Sequence, residues 1–116
     1  MPAAIEQMGV NVTCNLEHAL RDADVVMGLR IQRERLQGVF LSTLREYHRY
    51  FGIHEDSIRL CKKDVLIMHP GPVNRGVELS SAVVDADNSV INEQVTNGVA
   101  VRMALLYLLT RKDDKR

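Results

Sequence analysis

The apolar run Val65-Leu66-Ile67-Met68 leads directly into His69-Pro70-Gly71-Pro72-Val73-Asn74-Arg75-Gly76, and this junction restricts the fold more than any other stretch. Pro70 and Pro72 each fix φ and carry no N–H, so neither a helix nor a strand ladder runs on through them. Gly71 between them reaches backbone conformations closed to other residues. A strand therefore ends here in a rigid turn. That turn holds more backbone carbonyls than amides, which suits a group rich in N–H donors, such as an amide or carbamoyl NH2. On these residues alone the plainer reading, a stiff strand-to-helix connection, stays open.

Around this junction the chain alternates strand and helix patterns. Met1 to Met8 reads as a short helix with Pro2 in its first turn and Gly9 as terminator. Val10-Asn11-Val12-Thr13-Cys14 alternates apolar and polar residues like a strand, and Asn15 then caps a helix through Asp22 with Leu16, Ala19 and Leu20 inward. The continuous run Asp24 to Leu29 predicts a strand of a parallel sheet covered on both faces. Val39 to Phe51 has a helical period closed by Gly52, and His54 to Lys63 gives another short helix. After the strand Val65 to Met68, Ser80 or Ser81 caps a short turn through Val84, and Asp85 to Ser89 breaks the chain ahead of a helix near Val90 to Thr110. Val95, Val99, Leu105, Leu106 and Leu109 share one broad face of that helix with Arg102, which needs a carboxylate or carbonyl partner if buried. Three strands alternating with helices predict an α/β fold: a doubly wound, mostly parallel sheet with helices on both faces. Residues 1–110 form one domain, and 111–116 form a charged tail.

The segment Arg30-Ile31-Gln32-Arg33-Glu34-Arg35-Leu36-Gln37-Gly38 is a dense polar cluster at the carboxyl end of a predicted strand, where open α/β sheets bind ligands. If the backbone stays extended, Arg30 and Gln32 project to the same side and can grip a carboxylate. A solvated charged loop accounts for the same residues. Elsewhere the signals are weak. With 116 residues and 46% hydrophobic content there is room for one modest core. Lys plus Arg equal Asp plus Glu at 15 each, so no net field recruits nucleic acid or an anionic membrane. Cys14 and Cys61 lack metal-ligand spacing and read as buried free thiols, while His48 and His54 read as surface histidines without chemistry. No apolar run approaches the ~20 residues of a membrane span, and cytoplasm is the expected compartment. The pattern calls for no metal, no cofactor and no nucleophile paired with a base.

Three motifs in order carry a family resemblance: Leu29-Arg30-Ile31-Gln32-Arg33-Glu34-Arg35, then His69 through Gly76, then Asn97-Gly98-Val99-Ala100-Val101-Arg102-Met103-Ala104-Leu105-Leu106. Together they resemble the carboxyl-terminal, aspartate-binding domain of the aspartate carbamoyltransferase family. Pro70 stands where the ornithine-using relatives usually carry cysteine, which favours aspartate. The resemblance implies carbamoyl transfer from carbamoyl phosphate to L-aspartate in pyrimidine synthesis. It assigns Arg30 and Gln32 to aspartate and the Pro70-Gly71-Pro72 backbone to the carbamoyl group. Glu34, His69, Arg75 and Glu78 are supporting residues, with Glu34 and Glu78 orienting the arginine. A homotrimer is implied, and a dihydroorotase or regulatory chain is a companion the resemblance admits.

The family's amino-terminal carbamoyl-phosphate domain, with its Ser-Thr-Arg-Thr loop, is not among these residues, nor is the start of the second domain. In the family a further aspartate-binding arginine lies upstream, and a neighbouring subunit completes the site. The chain alone is therefore expected not to turn over. A non-catalytic amino-acid-binding module, or a pseudoenzyme that associates with full-length subunits, remains as an alternative.

Overall fold

A computed structural model describes residues 4–31 and 44–111. A 3₁₀ turn at Ile5–Met8 is followed by α1 (Leu16–Leu20), β1 (Val25–Met27), α2 (Leu44–Phe51), α3 (Glu55–Ile58), β2 (Leu66–Met68), α4 (Ser81–Val84) and α5 (Ile91–Thr110). β1 and β2 pair in parallel, Val25 with Leu66, Val26 with Ile67 and Met27 with Met68. Parallel neighbours need a long crossover, and α2 and α3 lie within it. The α/β architecture is thus the expected one.

Local signals set the starts of two helices. The Asn15 side chain accepts the His18 N–H at 2.9 Å, and Ser80 Oγ accepts the Val83 N–H at 3.2 Å, so each occupies the N-cap position its residue type favours. The core collects Leu20, Val26, Ile53, Val65, Ile67, Leu79, Val83 and Ile91 on one side of the sheet. Strand alternation explains the division: Val26 and Ile67 turn inward, whereas Val25, Met27 and Leu66 stay 43–51% exposed. The expected burial of β1 on both faces is therefore not observed among the described residues.

Other expectations are also corrected. Val10–Cys14 forms no strand; Val10 and Val12 are 40% and 50% exposed, since alternation creates a strand only where a neighbour accepts its ladder. Cys14 is exposed, and Cys61 is half-buried with its thiol pushed up by burial. Ala19 faces outward. In α5 the stripe from Val95 to Leu109 is exposed, and Arg102 Nε donates to the Gly98 carbonyl at 2.9 Å one turn earlier. Among the described residues no helix is long and apolar enough to cross a membrane.

Candidate functional site

The parallel register brings two carboxyl strand ends together. Gly28, just beyond β1, donates its N–H to the Met68 carbonyl at 2.9 Å. A Cβ on Gly28 would lie 3.2 Å from His69 Cδ2 and from Leu79 Cγ, so a larger residue here would press on both neighbours. Arg30 follows at the end of β1, exposed, while the Pro70 turn follows at the end of β2. Gln32 and Glu34 lie outside the described residues. The sheet thus places Arg30 and the proline turn at neighbouring strand ends, as a shared cleft requires.

Within the turn, Gly71 has φ 72° and is followed by a cis peptide bond to Pro72. Its N–H donates to His69 Nδ1 at 2.9 Å. A ring nitrogen that accepts carries no proton, so this bond assigns the imidazole proton to Nε2. Nε2 lies 3.3 Å from Glu78 Oε1, which also accepts the Asn74 N–H at 2.6 Å. The approach of Nε2 is oblique, so neither it nor Glu78 Oε2 has an aligned hydrogen-bond partner among the described residues. His69 and Glu78 are 0% and 3% exposed. The turn is held from inside, and its donors are spent. Pro70 and Pro72 have no N–H and the Gly71 N–H is taken, leaving carbonyl oxygen as the backbone's offering to a ligand.

A surrounding layer escaped the sequence patterns. Gln94 Oε1 on α5 accepts the His69 N–H at 2.8 Å. Arg75 makes a two-pronged bond to Asp85, 2.6 Å and 2.7 Å, which raises the guanidinium and lowers the carboxyl relative to their ordinary values. His48 Nδ1 donates to the Val77 carbonyl and His54 Nε2 to the His48 carbonyl, each at 3.0 Å, tying α2 to the segment that carries Glu78. These histidines are half-buried fasteners rather than surface residues. Burial, and then the Glu78 charge, push the Tyr47 phenol up. No sequence period marks these partners, because the bonds join residues from six to 29 positions apart.

A groove of about 620 Å³ lies elsewhere, lined by residues including Asn15, Arg49, Tyr50, His54, Asp56 and Ser57, and none of the described expected site residues lines it. The strand-end arrangement, with its convergent polar groups, is the better candidate. Among the described residues no cluster of three or more His, Cys, Asp or Glu side chains is set to hold a metal.

Comparison with known proteins bears on this arrangement. The aspartate/ornithine carbamoyltransferase profile for the Asp/Orn binding domain matches residues 3–109. The chain belongs to the aspartate/ornithine carbamoyltransferase family. A curated aspartate carbamoyltransferase catalytic subunit from Acetivibrio thermocellus is 62% identical over 113 residues, covering 97% of this chain and 36% of that protein. Aspartate transcarbamoylase from Trypanosoma cruzi, solved with carbamoyl aspartate and phosphate, is 31% identical with a TM-score of 0.67, covering 89% of this chain and 32% of that one. Ornithine carbamoyltransferase from Thermus thermophilus, at 17% identity, shares the fold with a TM-score of 0.76 over 96% of this chain and 36% of its own. This carbamoyltransferase chain spans about a third of the length of the curated relatives it matches.

Proposed function

We propose that this carbamoyltransferase chain supplies the aspartate-binding half of an aspartate carbamoyltransferase site. In that reaction the amine of L-aspartate attacks the carbonyl carbon of carbamoyl phosphate, a C–N bond forms, the C–O bond to phosphate breaks, and the amine loses a proton. Arg30 and Gln32 hold the aspartate carboxylates, with Glu34 as a support. The carbonyls of Pro70, Gly71 and Pro72 accept from the carbamoyl NH2. The observation that carries this reading is the donor-free backbone of residues 70–72, created by two prolines and by the bond from Gly71 to His69. Glu78 Oε2, buried and without a partner among the described residues, is an acceptor suited to orient an arginine fork. Arg75 stiffens the turn through Asp85.

Support also comes from the relatives: curated proteins 62% and 60% identical to this chain are named aspartate carbamoyltransferase catalytic subunits, and Trypanosoma cruzi aspartate transcarbamoylase was solved with carbamoyl phosphate. The role belongs to de novo pyrimidine biosynthesis in the cytoplasm, within a trimer, where other parts of the enzyme bind phosphate. Catalysis there rests on proximity and on stabilising developing charge. Two measurements test the proposal. Titration of the chain with L-aspartate and with N-carbamoyl-L-aspartate, followed by amide NMR, moves Arg30 with both ligands and residues 69–74 with the carbamoylated one. A steady-state assay with carbamoyl phosphate and aspartate gives no ordinary turnover from the chain alone. Failure of both ligands to shift these amides overturns the half-site, and normal turnover overturns the predicted incompetence.

A further inference from the structure

Hydrogen-bond directions along β2 single out a residue on another element. Leu66 and Met68 bond toward β1: the Leu66 N–H donates to the Asp24 carbonyl, and the Met68 carbonyl accepts from Gly28. Ile67 bonds to the opposite side, donating to the Asn88 carbonyl and accepting from the Val90 N–H. By strand alternation the next N–H on that side belongs to His69. There the neighbouring backbone has already turned into α5, which begins at Ile91, so no extended carbonyl continues the ladder. Gln94 replaces it: its side-chain Oε1 accepts the His69 N–H at 2.8 Å. A buried amide at the mouth of the turn is thereby paired, since His69 is fully buried.

The next residue of α5 touches the turn as well. A Cβ built on Gly71 would lie 3.3 Å from Val95 Cγ2, so this methyl sits close over the glycine. Two consecutive residues of one helix thus meet two ends of the same short segment, Gln94 at His69 and Val95 at Gly71. His69 in turn accepts the Gly71 N–H, so a change in the His69 backbone reaches the carbonyls on either side of Gly71.

We propose that Gln94 is a positioning residue for the carbamoyl-accepting turn, its side-chain oxygen standing in for a missing strand and fixing where the carbonyls of residues 70–72 point. The proposal rests on the half-site reading for its ligand, but not for its geometry. Gln94→Met keeps side-chain length and removes the acceptor, whereas Gln94→Glu keeps an acceptor oxygen. On the ligand-free 116-residue chain, the His69 amide exchanges about tenfold faster in Gln94→Met and within about twofold of the parent in Gln94→Glu, the scale of one lost hydrogen bond. An unchanged His69 exchange rate in Gln94→Met overturns the proposal.

A second readout separates positioning from general support. Gln94→Met weakens binding of N-carbamoyl-L-aspartate about tenfold while leaving L-aspartate within about twofold, and Gln94→Glu restores the first. Equal weakening of both ligands, together with a lower urea midpoint, makes Gln94 a merely structural residue and overturns the proposal. If the parent chain binds neither ligand, the half-site reading falls, while the exchange experiment still decides the placement of the turn.

Discussion

His69 Nε2 lies 3.3 Å from Glu78 Oε1, with both side chains buried. The contact completes a chain of side-chain and backbone groups: Gly71 N–H to His69 Nδ1, His69 Nε2 facing Glu78, and Glu78 Oε1 accepting the Asn74 N–H. A segment with almost no backbone donors is thereby held by side chains at its two ends. Its rigidity comes from these contacts as much as from proline.

Removing the carboxylate tests those contacts. Glu78→Ala leaves the half-buried Asn74 N–H without its acceptor and the buried His69 ring without its facing carboxylate, and a lost buried partner costs about 1–3 kcal/mol. Urea unfolding is therefore expected to show a loss of about 2–4 kcal/mol for Glu78→Ala and less than half of that for Glu78→Gln, which keeps an acceptor oxygen. Equal losses would locate the effect in charge rather than in hydrogen bonding.

Close approach of the strand ends gives a second prediction. At Gly28 an added Cβ meets the His69 ring and Leu79 at 3.2 Å, and both neighbours are fully buried with little room to give. Gly28→Ala is expected to cost about 1–3 kcal/mol by overpacking. Amide shifts in the variant concentrate at residues 69–79, because the displaced ring carries the Gly71 and Glu78 contacts with it. Shifts confined to residues 27–30 would show that the two strand ends are not coupled through this contact.

Acid should loosen the same region from outside. The Arg75 bond holds Asp85 below its ordinary value of 3.8, and the Glu55 backbone bond followed by Ser80 holds Glu55 below 4.5. A carboxyl whose folded value is depressed binds its proton more tightly when unfolded, so its stabilisation is complete above the ordinary value and is lost as pH falls through the lower folded one. The urea midpoint is expected to hold down to about pH 5 and to fall modestly below about pH 4, with a shallower drop in Asp85→Asn. Both carboxylates are exposed, so added salt diminishes the Asp85 contribution. A midpoint that rises on acidification would contradict the sign.

What the sequence disclosed follows from the range of each interaction. Asn15 and Ser80 were readable as caps because a cap bonds its own helix within three residues. Val65 to Met68 was readable because β-branched and apolar residues run straight into prolines, and its partner Asp24 to Leu29 was readable for a similar reason. Val10–Cys14 shows the limit of such reasoning: its alternation is genuine, yet a strand exists only where another backbone lies alongside. At the site, the proline turn and its shortage of donors were legible from composition. Its fasteners were not, since Gln94 stands 25 residues from His69 and Asp85 stands 10 from Arg75. Asp85 was read as a helix breaker and Gln94 not at all, because a single polar residue carries no sign of what the fold brings to it.

The second half of α5 supplies the last prediction. From Val99 to Leu109 nearly every residue is apolar, and Met103, Leu106, Tyr107, Leu108 and Leu109 are 63–82% exposed. Apolarity all round a helix is the pattern of a buried element, yet within this chain these side chains remove little area from water. Leu106→Gln and Leu109→Gln are therefore expected to change unfolding stability by less than about 0.5 kcal/mol, against about 2–5 kcal/mol for Ile67→Ala in the core. The same two substitutions are expected to reduce self-association of the chain in light scattering, because large exposed apolar patches promote aggregation. A stability loss at Leu106 matching that at Ile67 would mean that the helix packs against the core in a way these exposures deny.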